Sequence, residues 1–167
     1  MADEGNDIST PNPGNGEDHG PAAGILSQYV KDLSVENPNA PLSFQWTDTP
    51  QMEVQFNIQA KQVEGGLHEV ELKIEVTSKA EQGTAFIIDL SYCGLVGMRG
   101  FAPEHEHMFI YAEAPRILFP FARRVIADAV RDAGFPVFML EPIDFNGLYL
   151  QQLAASQQAQ GEPAGNA

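Results

Sequence analysis

The sequence predicts an α+β fold built on a four-stranded antiparallel sheet, and three observations carry that reading. Four segments between residues 27 and 94 repeat apolar side chains with the period of two that an extended chain imposes. The connections between the second, third and fourth segments are too short to return a parallel strand. After residue 100 the apolar period lengthens to that of a helix, and strands followed by helices belong to the α+β class rather than to parallel α/β folds.

The first strand, "SQYVKDLSVE" (27–36), sets Tyr29, Lys31, Leu33 and Val35 on one face and Val30, Asp32, Ser34 and Glu36 on the other, so two acids share a face. In "NPNAPLSFQWTDTP" three prolines, Pro38, Pro41 and Pro50, cannot donate to a ladder and mark a long connection. Leu42, Phe44 and Trp46 are apolar within it, and loops of this length usually have a task. The second strand alternates cleanly, with Met52, Val54, Phe56, Ile58 and Ala60 inward. "EGG" reads as a turn, and the third strand points Val70, Leu72, Ile74 and Val76 inward, with His68 at its end or surface. A tight turn near "AEQGT" leads into the fourth, "TAFIIDLSYCG" (84–94). There Phe86, Ile88, Leu90 and Tyr92 form a core face, while Ala85, Ile87, Asp89 and Ser91 form a face that is neither wholly polar nor wholly apolar.

"PEHEHMFIYAEAP" reads as a short helix or loop bounded by Pro103 and Pro115. From Arg116 the spacing of Leu118, Phe121, Ala122, Val125 and Ala129 predicts a helix, with Arg124 and Asp128 as an i,i+4 pair and Gly134 with Pro136 as its stop. Pro120 belongs in or near the first turn, or kinks the helix. The last helix opens at "EPIDFNGLYL", capped by Asp144, with Ile143 and Leu148 at the staple positions.

Residues 1–24 hold one strongly apolar aliphatic besides the initiator and read as a disordered acidic tail; residues 157–167 read as a second tail, leaving 25–156 as one domain. The formal charge is −14, and five acids of the leading segment leave −9 for the rest. Nucleic acid and anionic membranes need a positive patch and are poor partners, whereas a basic partner suits an acidic surface; plain solubility is the simpler explanation of the same charge. With Cys93 as the only cysteine, no intrachain disulfide can form. No stretch is long and apolar enough to span or insert in a bilayer and no secretory signal opens the chain, which points to the cytoplasm.

Residues that could carry chemistry do not assemble a reaction centre. His105 and His107 stand two apart beside Glu104 and Glu106, a spacing that does not share a helix face, and no cysteine or third histidine completes a metal shell. Nothing adjacent lowers the pKa of Cys93, which reads as a packing residue. There is no phosphate-binding glycine loop and no dinucleotide fingerprint, so no cofactor and no catalytic residue is expected. What remains is an apolar surplus: Ile87, Leu42, Phe44, Trp46, Phe135, Phe138, Met139, Phe145 and Tyr149 exceed what one sheet face needs. Such a surplus either roofs the core or forms an interaction surface.

Over about residues 25–152, through "YVKDLSVENPNAP", "TAFIIDL", "PRILFPFARRVI", "GFPVFMLEPIDF" and the Gln-rich end of the last helix, the chain resembles the SecB family of bacterial export chaperones. The resemblance implies a four-stranded antiparallel sheet with helices packed on one face and a homotetramer built as a dimer of dimers. It implies a chaperone that binds unfolded preproteins and delivers them to SecA, the translocase motor. The positions matching the family's dock for the basic, zinc-bearing C-terminal tail of SecA are Asp32, Glu36, Ile87 and Asp89; the zinc belongs to that partner. Ile88 and Leu90 match positions that hold the tetramer together. A client groove between the long first connection and the helices takes Phe44, Trp46, Phe138, Phe145 and Tyr149. Trp46 lies two positions before the family's usual tryptophan, whose place Asp48 occupies, and Cys93–Gly94 stands where many members have two glycines. A SecB-like chaperone dedicated to a labile partner such as an antitoxin is the second reading. A small enzyme of similar shape is the third, and it requires a compact pocket with convergent polar groups.

Overall fold

Four strands and three helices make up most of the residues that the computed structural model describes, 20–161. The strands are β1 (Ala22–Glu36), β2 (Gln51–Gln62), β3 (His68–Ala80) and β4 (Gly83–Arg99). All neighbours are antiparallel, in the order β1-β4-β3-β2, so β4 and β3 are central and β1 and β2 are edges. Helices α1 (Pro103–Met108), α2 (Ala114–Asp132) and α3 (Phe145–Gly161) follow. The long connection carries one 3-10 turn, Leu42–Gln45.

The ends of the domain reach further than its hydrophobic pattern suggests. Ala22, Ala23 and Gly24 already pair with Arg99, Met98 and Gly97, and α3 continues to Gly161. Backbone pairing and helix propagation do not require apolar side chains, which is why composition misplaces both limits. The remainder of the two expected tails lies outside the described residues.

The inner face of the sheet packs under α2. Val70, Leu72, Ile74 and Val76 of β3 and Ile88, Leu90 and Val96 of β4 are fully buried. Against them α2 sets Leu118, Phe119, Ala122, Ile126, Ala129 and Val130. Gly94 is required here: a Cβ on it would stand 3.0 Å from Leu118 Cδ2, so the absent side chain lets the helix approach. Phe121, expected in the apolar stripe, is instead 41% exposed. At about 100° per residue it lies roughly 120° from the centre of the buried arc, which Phe119 and Ile126 shift away from it.

Two further helix expectations are corrected. Pro115 does not end a separate segment, because the chain runs through a single π turn, Phe109–Glu113, directly into α2. Proline has no N–H and its ring would strike the carbonyl four residues back; the wider turn, with Ala114 N–H donating to Phe109 O, absorbs it. Asp128 pairs with Arg131 at 3.1 Å, not with Arg124. Pro120 lies inside α2 with its ring exposed. Asp144 caps α3 as expected, accepting from Gly147 N–H at 3.0 Å.

Strand β1 departs from simple alternation. A register shift between Val30 and Asp32 makes Lys31 a bulge, so Val30 lies abreast of the buried Tyr92 while Tyr29 lies abreast of Cys93 on the opposite face. Tyr29 and Lys31 therefore belong to the outer face, where both reach Glu69. Leu33 and Val35 face inward, and Asp32, Ser34 and Glu36 face outward, as alternation predicts.

Candidate functional site

Among the described residues no helix covers the outer face of the sheet, and its side chains stand in rows across the strands. Glu36, Ile87, Thr77 and Glu53 lie abreast; the next row holds Ser34, Asp89, Glu75 and Gln55; the next holds Asp32, Ser91, Lys73 and Asn57. Rows are about 6.6 Å apart along the strands, so Asp32, Glu36, Ile87 and Asp89 fall in one patch roughly 13 Å long. Two distant pieces of sequence meet there because β1, although first in the chain, pairs with β4.

Charges on this face sort into a neutralised end and an open end. At one end Lys31 (2.6 Å) and Lys61 (3.1 Å) converge on Glu69, which also accepts from Tyr29 Oη. Lys31 and Tyr29 hold the Glu69 carboxyl down at about 2, and the bond to Glu69 together with burial pushes Tyr29 up to about 12. Beneath them Cys93 is fully buried; desolvation first, then Glu69 and Glu71, pushes its thiol up to about 11, so it is not a thiolate nucleophile at neutral pH. At the other end no lysine or arginine among the described residues pairs with Asp32, Glu36 or Glu75. Asp89 has Lys73 at 3.7 Å, a loose contact between two substantially exposed side chains. Half-exposed Ile87 stands amid these acids, a geometry suited to a basic chain with some apolar character. Glu75 and Lys73 belong to this patch although the resemblance did not bring them in; alternation places them outward, but only the β3–β4 register sets them beside Asp89.

The second candidate region is built by irregular chain. Asn39 Nδ2 donates to Thr84 O and Asn37 Nδ2 to Ala133 O, both at 2.8 Å, tying the long connection to β4 and to the end of α2. Phe44 then seats its ring on Gly134, where a Cβ would lie 2.9 Å from the ring and where φ of +95 already favours glycine. Phe135 stacks between Phe44 (5.2 Å) and Phe86 (4.9 Å). The outcome is a cleft of about 620 Å³ whose walls include Phe44, Trp46, Met52, Phe86, Phe135 and Phe138, with Asp48 at its margin.

Phe145 and Tyr149 do not line this cleft. They line a separate hollow of about 360 Å³ with Phe56, Ile58 and Tyr111. Phe145 is almost wholly buried between Phe56 (5.9 Å) and Phe119 (5.7 Å), and Tyr149 Oη lies 2.8 Å from His107 Nδ1, which docks α3 against α1. The single expected groove is thus two aromatic hollows. Met52 and Phe56 alternate as core residues in the sequence, yet β2 is an edge strand that the helices only half cover.

Ile88 and Leu90 lie in the core of the single chain with no exposed surface. Among the apolar side chains left open on the inner side are Val30, Leu33 and Val35 of β1, Val54 and Phe56 of β2 and Phe121 of α2. Among the described residues no group of three or more His, Cys, Asp and Glu side chains converges on a point, and no helix is long and apolar enough to cross a membrane.

Comparison with known proteins supplies the framework for these two regions. Residues 16–156 match the family described as preprotein translocase subunit SecB. The chain is 63% identical to the protein-export protein SecB of Novosphingobium aromaticivorans and 57% identical to that of Erythrobacter litoralis, each alignment covering all of both chains. Its fold is similar, with a TM-score of 0.61 at 13% identity, to a SecB-like chaperone of Mycobacterium tuberculosis solved in complex with an antitoxin peptide, over 72% of this chain and 90% of that one. Full-length identity well above half, together with the four-stranded sheet and its helical cover, gives the assignment: the chain belongs to the SecB family of protein-export chaperones.

Proposed function

We propose that the protein binds unfolded preproteins in the cytoplasm, keeps them competent for translocation and hands them to the C-terminal tail of SecA, acting as a homotetramer. The supporting observation is the division of labour across β4. Phe86 helps wall the aromatic cleft on the inner side, while its neighbours Ile87 and Asp89 stand among unpaired acids on the outer side. An apolar cleft suits segments that a folded protein would bury, and an acidic face suits a basic tail. In this reading Asp32, Glu36, Ile87 and Asp89, joined by Glu75, dock the tail. Phe44, Trp46 and Phe138 hold one client segment, and the hollow beside Phe145 and Tyr149 holds another. Several weak contacts multiply when one polypeptide occupies sites on several subunits, so no nucleotide is needed for retention. Ile88 and Leu90 support assembly indirectly, by setting how α2 lies on the sheet, and Val30, Leu33, Val35 and Phe121 provide the surface that a second copy covers.

Size-exclusion chromatography with light scattering, run with a denatured precursor and with the zinc-bearing SecA tail, tests this reading. A tetramer that binds both ligands at once is the expected result. A monomer, or binding of the tail that Asp89→Lys leaves unchanged, overturns it.

A further inference from the structure

The outer face of the sheet has a third zone, beyond its neutralised end. A second bulge in β1, between Ile25 and Ser27, turns Leu26 onto this face: a Cβ on the outward-facing Gly97 would lie 3.4 Å from Leu26 Cδ1 and 3.5 Å from Leu67 Cδ2. Leu95 is the adjacent outward residue of β4, so three leucines gather at this end. Leu26 is 63% exposed, and with Leu67 it lines a shallow hollow of about 300 Å³ that Gly65, Gly66 and Gly97 complete. Cations flank the patch. Lys61 stands in the strand row of Leu95, and Arg99 lines the hollow at the end of β4. Of the nearby acids, Glu69 is already matched by Lys31 and Lys61, and Glu64 sits exposed in the turn before β3. On a chain of net charge −14, this zone is locally positive. It suits an acidic segment with an apolar residue, and the basic SecA tail does not fit it.

The chain itself supplies such a segment. Residues 1–19, which lie outside the described residues, carry Asp3, Glu4, Asp7, Glu17 and Asp18 with no lysine or arginine, and Ile8 is their one large aliphatic besides Met1. Pro21 packs against Gly100, where a Cβ would lie 3.2 Å from Pro21 Cα, and Ala22 pairs with Arg99, so the segment joins the sheet beside the hollow. A flexible stretch from Ile8 to Gly20 spans roughly 19 Å between its ends. Leu26 lies about 13 Å along β1 from Ala22, well within that reach. A tether matched to its target holds it at a millimolar effective concentration, so a contact of about millimolar affinity is occupied roughly half the time. Composition argues against an independent fold of this segment, not against a tethered contact. We infer that residues 1–19 dock back onto this zone, with Ile8 against Leu26, Leu67 and Leu95 and the acids beside Lys61 and Arg99. The segment then shields these leucines from other chains and leaves Ile87 and the acid patch, about 26 Å away along β4, open to the SecA tail. Neither the client reading nor the tail reading uses this zone.

A nitroxide attached to Ser9→Cys in the full chain tests this, because Cys93, the chain's own thiol, is fully buried and does not take the label. In methyl spectra Leu26, Leu67 and Leu95 should lose most of their intensity relative to the chemically reduced label, while Ile87 keeps its own. Ile8→Gln should restore most of that intensity, and so should the combination Asp7→Asn, Glu17→Gln and Asp18→Asn. Leucine signals that do not broaden overturn the inference. Broadening that survives both sets of changes also overturns it, since nearness of the tether alone then accounts for the effect. Chains that carry the nitroxide are also mixed with isotope-labelled chains that lack it. Equal broadening in that mixture assigns the zone to the leading segment of a neighbouring copy and overturns docking within one chain. Deletion of residues 2–19 gives a readout free of any label: the methyl signals of the three leucines should shift while that of Ile87 stays in place, and unshifted leucines count against the contact.

Discussion

The outer sheet face and the aromatic cleft share strand β4 as a wall but are made in opposite ways. The outer face is regular: strand register alone sets Glu36, Ile87, Asp89 and Glu75 in neighbouring rows, and its charges are spread over exposed side chains. The cleft is irregular: a proline-rich connection, the glycine after α2 and a loop residue, Phe135, are fastened together by two asparagine side chains. A regular lattice tolerates substitution at any one node and tunes binding in small steps. A hollow assembled from loops depends on each fastening, so single changes there act strongly.

The sharpest way to break the comparison is to strike β4 on each side in turn. Leu90→Arg places an unpaired charge in the core and should destabilise the chain by about 3 to 5 kcal/mol in urea unfolding, losing the fold before any subunit contact is reached. Asp89→Lys, one residue away, should change stability by less than about 0.5 kcal/mol while weakening the SecA tail. Equal destabilisation by both would remove the distinction between the faces. In the cleft, Phe138→Ala should weaken client peptides by about 1 to 3 kcal/mol, the worth of one aromatic side chain covered on binding, with little change in the affinity for the tail.

Acid titration probes the neutralised end of the outer face. Because the carboxyl of Glu69 is held at about 2 in the folded chain against its ordinary 4.5, its pairing stabilises the protein fully above about pH 4.5 and that contribution disappears as pH falls toward 2. Glu69→Gln should therefore be less stable than the unaltered chain at pH 7, by about 1 to 2 kcal/mol once the exposure of its lysine partners is discounted, and the gap should close between pH 4.5 and 2. Thermal melts at pH 7, 4 and 2.5 measure it. The smallest expected effect sits at the open end. Lys73→Met frees Asp89 from its one loose cation and should tighten the SecA tail two- to fivefold. Lys61→Met, about 20 Å along the strands and beyond the screening length, should leave it unchanged.

Much of the outer face was legible in the sequence, because two-residue alternation is a local property that Asp32, Glu36, Ile87 and Asp89 each obey. It failed at Tyr29, Val30 and Lys31, since the bulge at Lys31 arises from pairing with β4 and leaves no mark of its own in β1. The helical segment after residue 100 was readable as helix only beyond Pro115, because a proline is a local stop signal and the π turn that accommodates it is held by packing of Ile110 and Ala112 into the core. The cleft was least legible. Phe44, Trp46 and Phe138 could be named as surplus apolar residues, but nothing in their spacing separates them from Phe145 and Tyr149, which fold into a different hollow.

The order of elements, the class of fold, the side of each strand away from the bulge and the cap of α3 follow from the chain itself, since each depends on side chains within a few residues of one another. Which strands lie side by side, which acids keep a partner and which aromatic residues share a hollow were decided only when distant segments packed. Those outcomes rest on contacts between separate segments, such as β1 with β4, Asn39 with Thr84 and Asn37 with Ala133, and local periodicity carries no information about such partners.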